Sequence, residues 1–361
     1  MARTNATILI PDISGFTEFM SATELSHGSQ AINILMDAIV GAVGDEYEIS
    51  NVEGDAVLMV KKGSAPSKKE ILDTCFKIFN AFHFQRKWLH QHAICPCKAC
   101  REITNLKLKF VAHHGPLDEM KVGRFVTVSG TEVIIAHRLL KNSVPSNEYL
   151  LLTEKLLNGV ADTPGASELE WVSSSDEYAS IGKVDYRFAL LDAANIKVPD
   201  PPPLQNDYPT DATPFIKMTI SANFLNVYMV MMNIPGRNEW MPGLQTVDQD
   251  RPEVFVGSVH YCTFENYKTI ISPLRMTASS EEIFYAESCR IDEVHLSLVH
   301  EFVFRNVNDN CCMVSWRFLS AGNTPVPEER KSVLLERMQK VAESLKTYCE
   351  RDQSILVNGN V

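Results

Sequence analysis

The chain is 361 residues long, enough for two domains that each bury a core. Hydrophobic residues at 45% and charged residues at 22% exclude a disordered or fibrous chain, and a formal charge of -11 works against non-specific binding to nucleic acid or anionic lipid. No apolar run approaches the ~18–20 residues of a membrane-spanning helix, so no membrane insertion is expected. The start, MARTNATILIPDISG, reads as a first strand and not as a secretory signal. Nine cysteines, an odd number over a long chain, suit a reducing cytoplasm better than a disulfide framework.

In chain order, Thr7–Ile10 reads as a strand, Gln30–Val43 as an amphipathic helix, and Glu46–Val60 as two strands joined at Glu53-Gly54-Asp55. Lys68–His92 carries Ile71, Leu72, Cys75, Ile78, Phe79 and Phe82 at helical spacing, with Cys75 on the apolar face and so in the core. Leu106–His113 is strand-like, Thr131–Leu140 helical, and Val184–Leu191 a closing strand. Val198–Pro214, reading VPDPPPLQNDYPTDATP, is a linker by composition. Beyond it, Phe215–Ser221 reads as a strand and Ala222–Asn233 as a helix, followed by strands at Val254–Phe264, Ile283–Ile291, Ser297–Asn306 and Cys312–Ser320. Glu328–Arg351 is one long helix with Val333, Leu334, Met338, Val341, Leu345 and Tyr348 on a single stripe. The expected organisation is α+β: a first domain over 1–197, a linker over 198–213, a second domain over 214–352 and a tail over 353–361. No internal repeat links the halves.

Asp12 follows an apolar strand beside small residues, and Asp55 sits in a tight Gly-containing hairpin. If that hairpin pairs with the first strand, two hard oxygen ligands meet, a start for a Mg²⁺ or Mn²⁺ site completed by nucleotide phosphates. The plainer alternative is a helix cap and a turn residue.

PDISGFT at 11–17, NVEGDAV at 51–57, HHG at 113–115 and SGTEVIIAHRLLKN at 129–142 together resemble, in order and spacing, the class III nucleotidyl cyclase homology domain over roughly residues 6–192. The resemblance implies a ferredoxin-like α/β sandwich, usually a homodimer with sites between subunits. It also implies Asp12 and Asp55 as metal carboxylates, the Ile13 carbonyl as a further ligand, and the amides of Ser14, Gly15, Phe16 and Thr17 facing phosphate. Arg138 falls where the family places its transition-state arginine. Two positions depart from it. Asn51 stands where active cyclases have a base-selecting lysine, and Ile134, which offers no hydrogen bond, stands where an asparagine orients the ribose. Thr127, the other base-reading position, keeps a hydroxyl. The HRLLKN ending and a cysteine insert resemble a bacterial subfamily of this fold whose function is not established.

The insert runs His90-Gln91-His92-Ala93-Ile94-Cys95-Pro96-Cys97-Lys98-Ala99-Cys100. Three cysteines with two histidines upstream offer soft ligands for Zn²⁺, or for an iron–sulfur cluster if a fourth thiolate joins. The alternative is a surface loop of reduced thiols. His113 and His114 close a strand, one toward the core and one toward the cleft.

In the second half, the element order and the turn Trp240-Met241-Pro242-Gly243 resemble the START-like helix-grip family, related to polyketide cyclases and lipid-transfer domains. That resemblance implies a sheet around the last helix with an apolar cavity, for which Tyr228, Met231, Trp240, Tyr261, Phe284, His300, Phe302 and Trp316 are the lining candidates. His300 and Glu301 are neighbours on a strand and point to opposite faces, so they cannot act as a catalytic pair. The leading reading is a cytoplasmic two-domain protein that binds a divalent metal and a nucleotide in one domain and an apolar small molecule in the other, with cyclase activity lost or altered. The alternatives are an active cyclase with unusual base selection regulated by the second domain, and a non-catalytic scaffold with a structural metal at the cysteines.

Overall fold

The apolar run from Ala6 commits the first segment to a strand buried on both faces, and in the computed structural model β1 (Thr4–Ser14) is buried from Ala6 onward. The structure describes residues 4–22, 25–92, 102–123, 125–158, 169–192, 196–202, 216–249, 254–321 and 326–351. The chain is mixed α+β and divides into two units that part between Pro201 and Pro202.

The first unit is built on β1, β2 (Glu48–Glu53), β3 (Ala56–Lys62), β4 (Lys107–Val122), β5 (Phe125–Ser129), β6 (Tyr149–Thr153), β7 (Trp171–Tyr178) and β8 (Gly182–Leu190). Its sheet runs β2-β3-β1-β4-β6-β8-β7, with β5 added to β4; β4 and β6 pair in parallel and the other described pairs are antiparallel. Side-chain alternation separates the two faces. Leu9 and Ile13 face α2 (Leu25–Val43) and α3 (Lys68–Gln91), where Leu35, Ile39, Cys75, Ile78, Phe79 and Phe82 form the larger core. Each Leu, Ile and Phe among them contributes about 1.5–3 kcal/mol by burial. Ile8 and Ile10 face the other way, against Val133 and Ala136 of α4 (Thr131–Arg138). Asp12 shares the parity of Ile8 and Ile10, so it belongs to the α4 face.

The second unit is one antiparallel sheet of β9 (Ile216–Ile220), β10 (Leu244–Gln249), β11 (His260–Phe264), β12 (Lys268–Ala278), β13 (Glu282–Ile291), β14 (Leu296–Asn308) and β15 (Cys311–Ser320), in the order β10-β11-β12-β13-β14-β15-β9. The helix over Glu328–Arg351 lays Met338, Val341, Ala342 and Leu345 against the inward residues Tyr285, Leu298, Phe302 and Trp316. The outward residues Ala286, Val299 and Leu319 make a small cluster of their own, joined by Phe284.

Four expectations change. β4 continues past His113 and His114 to Val122, so neither closes a strand. β1 runs through Pro11 and Asp12 to Ser14, so Asp12 lies within the strand and not at its end. The strand expected from Val254 begins at His260, because Gly257 has φ +87 and turns the chain just before it. β5, β6, β7, β10 and β12 were not expected; β12 carries Pro273 and a register shift beside it. Among the described residues no helix is long and apolar enough to cross a membrane.

Candidate functional site

The β2–β3 hairpin turns at Gly54, whose φ of +62 favours glycine. It is stitched to β1 by the Ile13 N–H, which donates to the Asp55 carbonyl at 2.8 Å. This bond brings the Asp55 carboxylate to Asp12, which is 7% exposed and lies in register between Ala56 of β3 and Lys109 of β4. The Lys109 ammonium stands 3.3 Å from Asp12 Oδ1. Burial pushes the Asp12 carboxyl above the ordinary aspartate range, Lys109 pulls it down, and repulsion from Asp55 pushes it up again, with a net rise. Two carboxylates sharing a partly buried position are the donor set of a hard divalent cation, so the residues fit Mg²⁺ or Mn²⁺. Lys109 is the member of the site that sequence reasoning missed, because only strand register places it beside Asp12.

Beyond Asp12, Ser14 is buried with its hydroxyl unpartnered, and Gly15 has φ +86, which turns the chain into α1 (Phe16–Ala22). A cleft of about 210 Å³ opens there, lined by Ser14, Gly15, Glu18, Asn105, Lys107 and Asn147 among others. Phe16 is half-buried and Thr17 exposed at the start of α1.

The groups expected to read the nucleoside are arranged differently. The Asn51 amide donates to Glu53 Oε1 at 2.7 Å while its oxygen accepts the Val52 N–H, so both ends of the side chain are engaged within the hairpin. Glu53 also stands 3.7 Å from His137 Nδ1, which sets the last turn of α4 beside the hairpin that carries Asp55. Arg138 is exposed at that helix end. Ile134, at 53% exposure, is an apolar side chain facing outward from the same helix, and Thr127 is half-buried on β5.

Both histidines of HHG serve other ends. His113 Nδ1 meets Thr153 Oγ1 at 2.8 Å and its Nε2 meets Glu132 Oε2 at 2.6 Å, while Lys155 holds Glu132 Oε1 at 2.7 Å. The Glu132 carboxylate only accepts, so the neutral ring donates from Nε2 and its Nδ1 accepts the Thr153 hydroxyl proton, while Thr153 Oγ1 accepts the Leu156 N–H as the cap of α5 (Glu154–Leu157). This Thr–His–Glu line has the order of a nucleophilic triad, but the hydroxyl is fully buried and spent as a helix cap. The network anchors α4. Burial lowers the His113 pKa despite Glu132; burial alone would raise Glu132, but Lys155 and His113 outweigh it. Gly115 is required because a Cβ there would lie 2.8 Å from the Glu132 carboxyl carbon. His114 Nδ1 bonds Thr7 Oγ1 at 2.9 Å.

Of the soft-ligand cluster, Cys95, Cys97 and Cys100 lie outside the described residues. His90 is the exposed last turn of α3 and His92 follows it, buried. Among the described residues no group of three or more His, Cys, Asp or Glu side chains is placed to hold a metal ion. Cys75 is buried, and burial pushes its thiol well above the ordinary range.

In the second unit, Met231, Tyr228, Trp240, Phe302 and Trp316 meet in the core between sheet and helix. Phe284 and Tyr261 do not join them. Phe284 has outward parity on β13 and packs under Arg275, and Tyr261, 40% exposed, faces out between the inward His260 and Cys262. The inward tyrosine on β13 is Tyr285. Its hydroxyl donates to Glu287 Oε2 at 2.7 Å, and Glu287 in turn makes a bidentate pair with the wholly buried Arg237 at 2.9 and 2.7 Å.

A family model described as a protein of unknown function, DUF2652, matches residues 32–149. The uncharacterized protein Rv2561/Rv2562 of Mycobacterium tuberculosis is 35% identical over 126 residues, which is 35% of this chain and 57% of that protein. The chain thus spans little more than half the length of that relative. Among solved structures, the guanylyl cyclase Cya2 is similar at a TM-score of 0.41 and 13% identity, over 52% of this chain and 92% of that one. The adenylyl cyclase CyaB from P. aeruginosa is similar at 0.38 and 14% identity, over 53% of this chain and 95% of that one.

Proposed function

We propose that the first unit binds a nucleoside triphosphate through a divalent cation held by Asp12 and Asp55, as a nucleotidyl cyclase-like module whose cyclase chemistry is lost or altered. The observation that carries this reading is the junction of hairpin and strand, where the Ile13 N–H to Asp55 carbonyl bond sets the second carboxylate against a buried first one. A bound Mg²⁺ or Mn²⁺ supplies charge neutralisation to phosphate oxygens there. Asp12 and Asp55 hold it, Gly15 lets the backbone turn close to the phosphates, and Lys109 offers a further positive charge. Loss or change of cyclase chemistry is supported by Asn51, tied to Glu53, and by Ile134, which cannot hydrogen-bond a ribose.

The second unit, with its antiparallel sheet closed by a long helix over an aromatic core, is read as a START-like grip for an apolar small molecule that biases the first unit. Homodimerisation belongs to the same proposal and follows from the sequence resemblance alone.

The test is calorimetric titration of the full chain with Mn²⁺ and a non-hydrolysable nucleoside triphosphate, beside Asp55→Ala. Metal-dependent nucleotide binding lost in the variant is expected; binding unchanged in the variant refutes the assignment. Arg138, exposed at the end of α4, favours a second reading, an active cyclase with unusual base selection. A cyclic nucleotide formed from any of the common triphosphates with Mn²⁺, and absent with Asp55→Ala, would establish that reading in place of the first.

A further inference from the structure

The inner face of the second sheet carries a row of Phe318, His300 and Glu287, cross-strand neighbours on β15, β14 and β13. His300 is ringed by Phe302, Trp316 and Phe318 with centroids 6.3, 5.6 and 6.4 Å away. The Trp316 indole N–H donates to His300 Nδ1 at 3.1 Å. Indole is only a donor, so the imidazole proton sits on Nε2. That Nε2–H meets no acceptor among the described residues, and the ring stays half-buried where its aromatic neighbours are sealed. Burial pushes the imidazole down to about 4 against the upward pull of the facing Glu287 carboxylate, with Arg237 adding to the fall, which keeps it a neutral donor. A second N–H in the same core cluster, Trp240 Nε1, is buried at 5% exposure and also lacks an acceptor.

The charge inside this core is already balanced. Arg237 gives Nη1 and Nη2 to Glu287 and Nε to the Met231 carbonyl, so all three guanidinium nitrogens are engaged. A ligand carboxylate would find no uncompensated cation there and would remain an unpaired buried charge. An apolar ligand with a neutral acceptor oxygen would accept from the His300 Nε2–H, for which no described residue supplies an acceptor.

We infer that the inner face of the second sheet receives an uncharged apolar molecule bearing a carbonyl oxygen, with the His300 Nε2–H as the donor that positions it. This rests on reading the second unit as a grip for an apolar small molecule, and it names the chemistry of that molecule.

The test uses the full chain and three matched probes, acetylnaphthalene, ethylnaphthalene and naphthoate, titrated calorimetrically. The ketone is expected to bind about tenfold tighter than the hydrocarbon, the worth of one net hydrogen bond, and naphthoate weakest. His300→Phe is expected to bring the ketone down to the hydrocarbon's affinity without changing the latter. His300→Gln, which can accept from Trp316 and still donate, should keep most of the preference. Equal binding of ketone and hydrocarbon by the unaltered protein, or tightest binding of naphthoate, overturns the donor assignment and leaves the grip reading standing. No binding of any probe overturns both.

Discussion

Replacing Lys109 by Met separates two roles that the geometry gives one side chain. The ammonium is 3.3 Å from Asp12, and both side chains are largely shielded, at 18% and 10% exposure. At an effective dielectric of about 20 the gross attraction is about 5 kcal/mol, which desolvation of both groups reduces to a net of about 1–3 kcal/mol. A divalent cation on Asp12 must oppose that lysine, so its removal should raise Mn²⁺ affinity by about tenfold, equivalent to about 1.4 kcal/mol. The same change should lower the stability of the metal-free protein, because Asp12 then faces Asp55 without a counter-charge. Nucleotide affinity at saturating Mn²⁺ should fall, since the positive charge available to phosphate has gone. Calorimetric titration of Mn²⁺ alone, then of nucleotide at fixed Mn²⁺, reads the two effects, with thermal unfolding as the third. The reasoning fails if metal and nucleotide affinities move in the same direction, or if neither moves.

Gly115→Ala should lose about 1–3 kcal/mol, read by urea unfolding, because the new Cβ displaces the Glu132 carboxylate from His113 and Lys155. Glu287→Gln should lose about 3–5 kcal/mol by leaving the Arg237 charge buried without its partner, whereas Glu287→Leu combined with Arg237→Met should recover much of it. Stability should fall as pH drops from about 6.5 to about 4, because His260 and His300 are held neutral when folded and protonate when unfolded. His83 and His113 act in the same direction, while Asp12, whose carboxyl is pushed up, acts oppositely and loses stability as pH rises through its folded value. Urea midpoints at neutral pH and near pH 5 check this, and an unchanged midpoint contradicts it.

Much of this architecture was legible because local chemistry and long-range packing agree. The helical spacing in Lys68–His92 and Glu328–Arg351 found both long helices to within a residue. Alternation marked β13, β14 and β15 but could not say which parity faces the helix where both faces carry apolar residues. Phe284 was assigned inward for that reason, although Ile283 and Tyr285 are the inward pair. Tyr261 misled in the opposite sense, since the buried neighbours on β11 are a histidine and a cysteine. β12 escaped notice because Pro273 and its bulge break the pattern of an eleven-residue strand. Asp12 and Asp55 were found by motif, whereas Lys109, Glu53 and Glu132 act through register and tertiary contact, which no local spacing encodes.

The altered positions of the first unit are distributed by chemistry. The end of β1 keeps the acidic Asp12 and the small Ser14, with Lys109 of β4 in register beside Asp12, and backbone pairing binds Asp12 into the sheet on both sides. At the positions that the proposed reading gives to the nucleoside, Asn51 is turned back onto Glu53 and Ile134 projects an apolar surface from α4. Glu53 links these two regions, since it holds Asn51 and stands beside His137 at the end of the helix that carries Ile134. A lysine at position 51 would therefore meet Glu53 before it met a base, so restoring that one residue would create an ion pair in the hairpin and not a base-reading group. On the proposed reading, base selection by a lysine at position 51 would require Glu53 to be neutralised in the same variant, so the residue at 51 has to be considered with the hairpin as a whole.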